Sequence, residues 1–300
     1  MYTSMSSLPE AFVPSVYREL YEDLQSLDIG QLRHHWHAHG QREGRRSHTI
    51  RNRNEFAQLA LTESCLEIGP FAAPLVRGPG VTYADIWTTA QLKDLARAEG
   101  LEVDQVPEID WVVEPCDLGS IQGKYDSILS SHSIEHQPNL VKHFQQISHL
   151  LKQGGRYFLL VPDCRYSFDH FKPISTSIDV LNAMISKREF HEPKSILLNI
   201  CLMTHNDPIR HWAGDHGSPG SNPAFPNASH RDLLREALRY VKDDASALRD
   251  GHAWCFMPET FSEIVKDLFG LGIIDLTIER TYPTLHNSLE FWTVLTKVTQ

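Results

Sequence analysis

From residue 64 onward, short apolar runs alternate with helix signals at a spacing that leaves few folds open. Cys65-Leu66-Glu67-Ile68, Val81-Thr82-Tyr83-Ala84, Ile109-Asp110-Trp111-Val112-Val113, Tyr125-Asp126-Ser127-Ile128-Leu129 and Arg156-Tyr157-Phe158-Leu159-Leu160-Val161 read as strands. A helix opens at Thr88 or Thr89 and stops at Gly100, and a second carries Leu140, Phe144, Ile147 and Leu151 on one face and is terminated by Gly154-Gly155. Such alternation predicts a parallel sheet covered by helices on both faces, with ligands at the carboxyl ends of the strands.

Residues 1–60 are polar and helix-leaning, with Val16, Leu20, Leu24 and Leu27 at helical spacing, and read as an N-terminal helical cap. Residues 164–250 break the rhythm with His, Asp, Pro and Gly and read as an insertion on the substrate side, leaving 61–163 and 251–300 as the core. The alternation returns in a helix opened by Pro258, followed by strands at 274–281 and 291–298.

The strand ends carry the chemistry. Glu67-Ile68-Gly69-Pro70 closes the first strand, where a glycine lets backbone pass close under a nucleoside and a carboxylate fixes nearby amino groups. Asp85 ends the second strand, 16 residues after Gly69, and suits the two ribose hydroxyls of an adenosine cofactor. Asp117 follows the third strand and can accept from the exocyclic amine of adenine. Ser131, His132 and Ser133, after the fourth strand, fall beside the remaining portion of such a cofactor.

Two stretches, Tyr-Asp-Ser-Ile-Leu-Ser-Ser-His-Ser-Ile-Glu-His from Tyr125 and Leu-Leu-Lys-Gln-Gly-Gly-Arg-Tyr from Leu150, make residues 60–165 resemble the class I S-adenosylmethionine-dependent methyltransferases, and the resemblance returns at 252–298. It implies an α/β, Rossmann-like, seven-stranded and mostly parallel sheet whose last strand is antiparallel. Gly69 would lie under S-adenosyl-L-methionine, Asp85 on its ribose, Asp117 near adenine, and Ser131 to Ser133 on the sulfonium side. Val161–His170 and His252–Glu259 are similar to a bacterial subgroup associated with glycan or small-molecule modification. Phe71 and Ala73 stand where further glycines are usual, and Phe71–Gly80 is too short for a full helix between the first two strands. The Gly-x-Gly-x-x-Gly turn that seats a dinucleotide pyrophosphate is lacking.

Methyl transfer from a sulfonium is an in-line displacement that depends on holding the acceptor close, with a base needed where the acceptor must lose a proton. The insertion offers His211 as base with Asp215 orienting it, and Arg165, Tyr166, His170 and Arg210 for an anionic or hydroxyl-rich acceptor. His205, Asp207, His211, Asp215 and His216 can alternatively gather a divalent metal, which is not the favoured reading. His35 and His39 share a helical face in His34-His35-Trp36-His37-Ala38-His39, which reads as a surface helix or a cap over the acceptor.

Composition limits the partners. A net charge of −10 disfavours a nucleic-acid partner, and the basic run Arg42–Arg53 lacks interleaved aromatics. Five scattered cysteines without a CxxC pair suit a reducing cytoplasm, and the amino-terminal residues read as neither signal peptide nor membrane span. The expected activity is methylation of oxygen on a glycan-related or other polar small molecule. The alternatives are methylation of nitrogen and a non-catalytic cofactor-binding scaffold in a biosynthetic assembly.

Overall fold

The computed structural model describes residues 7–242 and 251–298; residues 1–6 of the expected cap, 243–250 of the expected insertion, and 299–300 lie outside it. The amino-terminal segment holds helices α1 (Pro14–Leu20), α2 (Ile29–His35) and α3 (Arg53–Gln58). It is not one amphipathic helix, because Tyr21 leaves α1 extended and Asp28 starts α2 with a capping box to Gln31. Its small core is Tyr17, Leu24, Leu32 and Trp36, whereas Leu20 of the expected apolar stripe is exposed.

The main body then builds strands β1 (Cys65–Ile68) and β2 (Val81–Asp85), helix α4 (Thr89–Ala98), and strands β3 (Trp111–Val112) and β4 (Tyr125–Ser131). Helix α5 (Leu140–Leu150) and strand β5 (Leu151–Pro162) follow. The chain continues through α6 (Ser177–Ile185), α7 (Pro193–Leu202), α8 (Pro208–Trp212), α9 (His230–Lys242) and α10 (Pro258–Gly270) to β6 (Leu276–Tyr282) and β7 (Glu290–Lys297). Thr88 caps α4 through a reciprocal capping box with Gln91, and Pro258 stands in the first turn of α10 where its missing N–H costs nothing.

The seven strands form one sheet in the order β3-β2-β1-β4-β5-β7-β6. All neighbours up to β5 are parallel, and β7 runs antiparallel between β5 and β6. The expected Rossmann-like sheet with an antiparallel last strand is present. Chain order reverses between β1 and β4, so the crevice at their carboxyl ends is the topological switch point where ligands of open α/β sheets bind.

The sequence misplaces one boundary. Gly154-Gly155 does not end a helix: α5 stops at Leu150, and residues 151–155 already belong to β5, with Leu151 paired to Tyr125. The register slips between Tyr125 and Ser127, and Gly154 takes a φ of +73° in the irregular stretch. No helix lies between β1 and β2, in keeping with the short spacing.

Each sheet face has its own apolar layer. Leu66, Ile128, Tyr157 and Leu159 face Phe144 and Ile147 of α5 and Phe261, Ile264 and Leu268 of α10. Leu129, Phe158, Leu160, Trp292 and Val294 face Ile50, Phe56, Ala57 and Ala60 of the amino-terminal segment. Phe56 stacks on Trp292 with ring centres 5.4 Å apart. The amino-terminal segment therefore supplies one layer of the core, and α3 is carried to the strand ends.

Candidate active site

Gly69 follows β1 with φ at +69°, a conformation strained for any L residue, and a Cβ there would meet nothing within 4 Å. Its N–H donates to the Ala84 carbonyl at 2.8 Å, which ties the β1 turn to the end of β2. The glycine thus faces open space at the switch point, a cradle that suits a flat ligand laid across the strand ends.

Asp85 stands at the end of β2 and is 7% exposed. The Trp87 N–H donates to it at 3.0 Å. Burial raises its carboxyl above the usual range, against the pull of the backbone amides of Trp87, Ile86 and Phe71. Phe71 has φ at +45°, so the turn after β1 bends back onto the end of β2 without the further glycines.

Glu67 and Asp117 take other partners than those expected. Glu67, 3% exposed, accepts from the Leu75 N–H at 2.9 Å and the Val76 N–H at 3.2 Å. Burial pushes it up to about 7 despite these amides. It pins the Pro70–Val76 turn in the place where a crossover helix would otherwise stand. Pro70 is buried within that turn. Asp117 faces α5, accepting from Lys142 Nζ at 2.8 Å, Gln146 Nε2 at 2.6 Å and the Gly119 N–H at 2.8 Å. The hydrogen bond from Lys142 holds its carboxyl below the usual range.

At the end of β4, Ser131 Oγ accepts from Arg53 at 2.7 Å, and Arg53 also faces Glu290 at 3.5 Å. His132, at φ +49°, places Nε2 2.8 Å from Glu290 Oε2, while Trp292 Nε1 donates to the other oxygen of Glu290 at 2.9 Å. Burial opposes ionisation of Glu290, but His132, Arg53 and Trp292 together hold its carboxyl below the usual range. Ser133 stands just before the 3-10 turn Ile134–His136. Glu290 and Arg53 were not singled out as site residues, because their partners lie far away in sequence; the only signal was an acid at the start of a strand.

The segment after β5 brings several expected acceptor residues together. Arg165 forms a bidentate pair with buried Asp163, with Nη2 to Oδ2 at 2.6 Å, and Thr284 donates to the same carboxylate at 2.6 Å. Tyr166 stacks on Trp212 of α8 with centroids 3.9 Å apart. His170 donates through Nδ1 to the Arg165 carbonyl at 2.8 Å, and its ring lies 3.8 Å from that of His216.

The expected His211–Asp215 pair is not formed. Asp215 is exposed and binds Arg210, with Nη2 at 2.7 Å, and the Arg210 bond holds its carboxyl below the usual range. His211 is 2% exposed and has both ring nitrogens engaged: Nε2 lies 3.1 Å from the His205 carbonyl and Nδ1 lies 3.0 Å from His216 Nδ1. Burial lowers its pKa to about 4, so it is neutral at physiological pH. The five-residue metal set is also broken up, since Asp207 caps α8 and Asp215 turns to Arg210; His211 and His216 gather with His170 instead. His35 and His39 do share a face, with rings 5.4 Å apart, and line a hollow of about 450 Å³ with His34 and Leu27 inside the amino-terminal segment.

A family model described as a methyltransferase domain matches residues 68–159, from the last residue of β1 through most of β5. The core of the sheet is thus similar to a methyltransferase domain over that stretch. The chain also matches a highly reducing polyketide synthase, lcsB, of Purpureocillium lilacinum, 33% identical over 87 residues that make up 28% of this chain and 4% of that protein. Among solved structures, an S-adenosylmethionine-dependent methyltransferase from Clostridium acetobutylicum is 9% identical with a TM-score of 0.41, covering 90% of this chain and 99% of its own. The CcbJ methyltransferase from Streptomyces caelestis is 12% identical with a TM-score of 0.40, covering 82% of this chain and 93% of its own. Among the described residues, no helix is long and apolar enough to cross a membrane.

Proposed function

We propose that the protein methylates a hydroxyl oxygen of a polar, glycan-related small molecule, using S-adenosylmethionine held over Gly69 and Asp85. The observation that carries the oxygen assignment is the histidine pair after β5. Neutral His211 donates its Nε2–H to the His205 carbonyl, so its Nδ1 accepts from the Nδ1–H of His216. That tautomer leaves His216 Nε2 with its lone pair, on a half-buried ring whose pKa is lowered by burial and by the neighbouring His170 and His205. A neutral imidazole oriented in this way suits removal of a hydroxyl proton, with His211 as its positioning residue.

The Tyr166–Trp212 stack offers an apolar face for a sugar ring, and His170 forms the wall behind His216. Arg210 stands at the exposed rim, and Arg165, locked on Asp163, shapes the floor. Bound cofactor supplies an electrophilic methyl carbon; the chain's part is to hold the acceptor in line and accept its proton. The reading assigns the cap to residues 1–60, the core to 61–163 and 251–300, and the acceptor side to 164–250. It places the protein in the cytoplasm, in keeping with the lack of a disulfide among the described cysteines.

The test presents methyl-labelled S-adenosylmethionine to the protein with hydroxyl-bearing glycosides and matched amino sugars. Label in methyl ethers is the expected result, and His216→Ala should lower kcat on the order of 100-fold with cofactor affinity unchanged. Label confined to amines, or turnover indifferent to His216→Ala, would overturn the assignment.

A further inference from the structure

A second group of side chains, one turn past the end of β4, has no part in the reading above. Glu135 belongs to the 3-10 turn Ile134–His136, its side chain is fully buried, and neither carboxylate oxygen has a hydrogen-bond partner. A bare carboxylate taken out of water is costly unless something of opposite charge meets it. Three imidazoles face one of its oxygens: His136 Nε2 at 3.8 Å, His252 Nε2 at 3.8 Å and His132 Nδ1 at 3.9 Å. These separations are too long for hydrogen bonds. They are close to the spacing of donors that share an ion, since ligands about 2.1 Å from a tetrahedral centre stand about 3.4 Å apart.

From this arrangement we propose that Glu135, His136 and His252 form a binding site for a divalent first-row transition-metal ion. Their ligand atoms all lie within 4.8 Å of one another. Two imidazole nitrogens and one carboxylate suit zinc, manganese, iron or cobalt rather than magnesium or calcium, which prefer oxygen alone.

The surroundings prepare the ligands. His252 Nδ1 is hydrogen-bonded to Asp169 Oδ2, and Lys172 pairs with the other oxygen of Asp169. The Asp169 carboxylate accepts a hydrogen bond from His252 Nδ1, which leaves the Nε2 lone pair toward Glu135, the carboxylate–histidine arrangement that orients metal ligands. The backbone is clamped as well: the Glu135 carbonyl accepts from the Ala253 N–H at 2.7 Å and the Trp254 N–H at 3.2 Å, which fixes the turn against the segment carrying His252. His132 and His136, each about a third exposed at 33% and 30% of the side chain, form the solvent side through which an ion enters. Use of the ion's open positions to hold acceptor oxygens rests on the methyl-transfer reading; binding of the ion does not.

The test strips the full-length protein with a chelator and titrates it with Co²⁺, following its visible d–d absorption, with Zn²⁺ as competitor. One equivalent per chain is expected, lost in Glu135→Gln and weakened about 10- to 100-fold in Asp169→Asn. Calorimetry with S-adenosylmethionine on the same variants reports that they remain folded. His216→Gln should leave Co²⁺ binding intact. Absence of stoichiometric binding, binding untouched by Glu135→Gln and Asp169→Asn, or binding removed by His216→Gln instead, would overturn the proposal.

Discussion

Glu67 illustrates how a carboxylate at a strand end can find partners in the backbone of the following turn. The sequence places a carboxylate at the end of β1, beside a bound nucleoside; the fold spends both its oxygens on the Leu75 and Val76 amides. Glu67→Gln should therefore destabilise the protein by about 1–3 kcal/mol, because an amide nitrogen would confront a backbone N–H that then goes unpaired. Urea unfolding would measure it, and an unchanged midpoint would refute the pinning role. The strand-end places of Gly69 and Asp85 were legible because the alternation of strands and helices fixes them. The partners of Asp117 and Glu290 were not, because Lys142 and His132 are brought to them by packing between elements, whereas Asp215 meets Arg210 only five residues away.

At the scale of elements, capping chemistry was the dependable guide. The Thr88 and Gln91 side chains mark the start of α4 through hydrogen bonds made within a few residues, and Pro258 marks the start of α10 through its fixed φ. Gly154-Gly155 misled because a glycine pair resembles a helix stop, whereas here β4 captures the chain four residues earlier and the glycines absorb an irregularity in the pairing. In the insertion, α6, α7 and α9 were not assigned individually, since α6 packs on the distant α5 and α10 of the core and α7 and α9 pack on each other. Leu233 and Ala237 of α9, for example, bury against Cys201 at the end of α7. Density of histidines was legible there, but which ring meets which was set by the turn after α8.

The whole molecule converges its chemistry on one edge of the sheet, because the parallel strands β1, β2, β4 and β5 all end there and the antiparallel β7 begins there, with Pro162 opposite Glu290. Its acid stability follows from histidines buried in the neutral form. Burial lowers His48 and His211 to about 4 and His143 to about 3, below the ordinary value of 6.5. Unfolded histidines bind protons first, so this stability is intact above about pH 6.5 and is lost as pH falls toward these values. Glu67, raised to about 7, works in the opposite sense between about pH 7 and its ordinary value of 4.5, and Asp85, also raised by burial, joins it, two groups against three. The urea midpoint should therefore fall steadily from pH 6.5 to pH 4; a flat or rising midpoint would contradict the burial of these rings.

The central claim is that the switch point between β1 and β4 holds an adenosyl cofactor over Gly69 and beside Asp85. Titration calorimetry with S-adenosylmethionine and with its homocysteine product tests it most directly. Both should bind one per chain, and Asp85→Ala should weaken both by about 10- to 100-fold through loss of hydrogen bonds to a charged acceptor. Failure of either ligand to bind the intact protein, or equal affinity in Asp85→Ala, would contradict it.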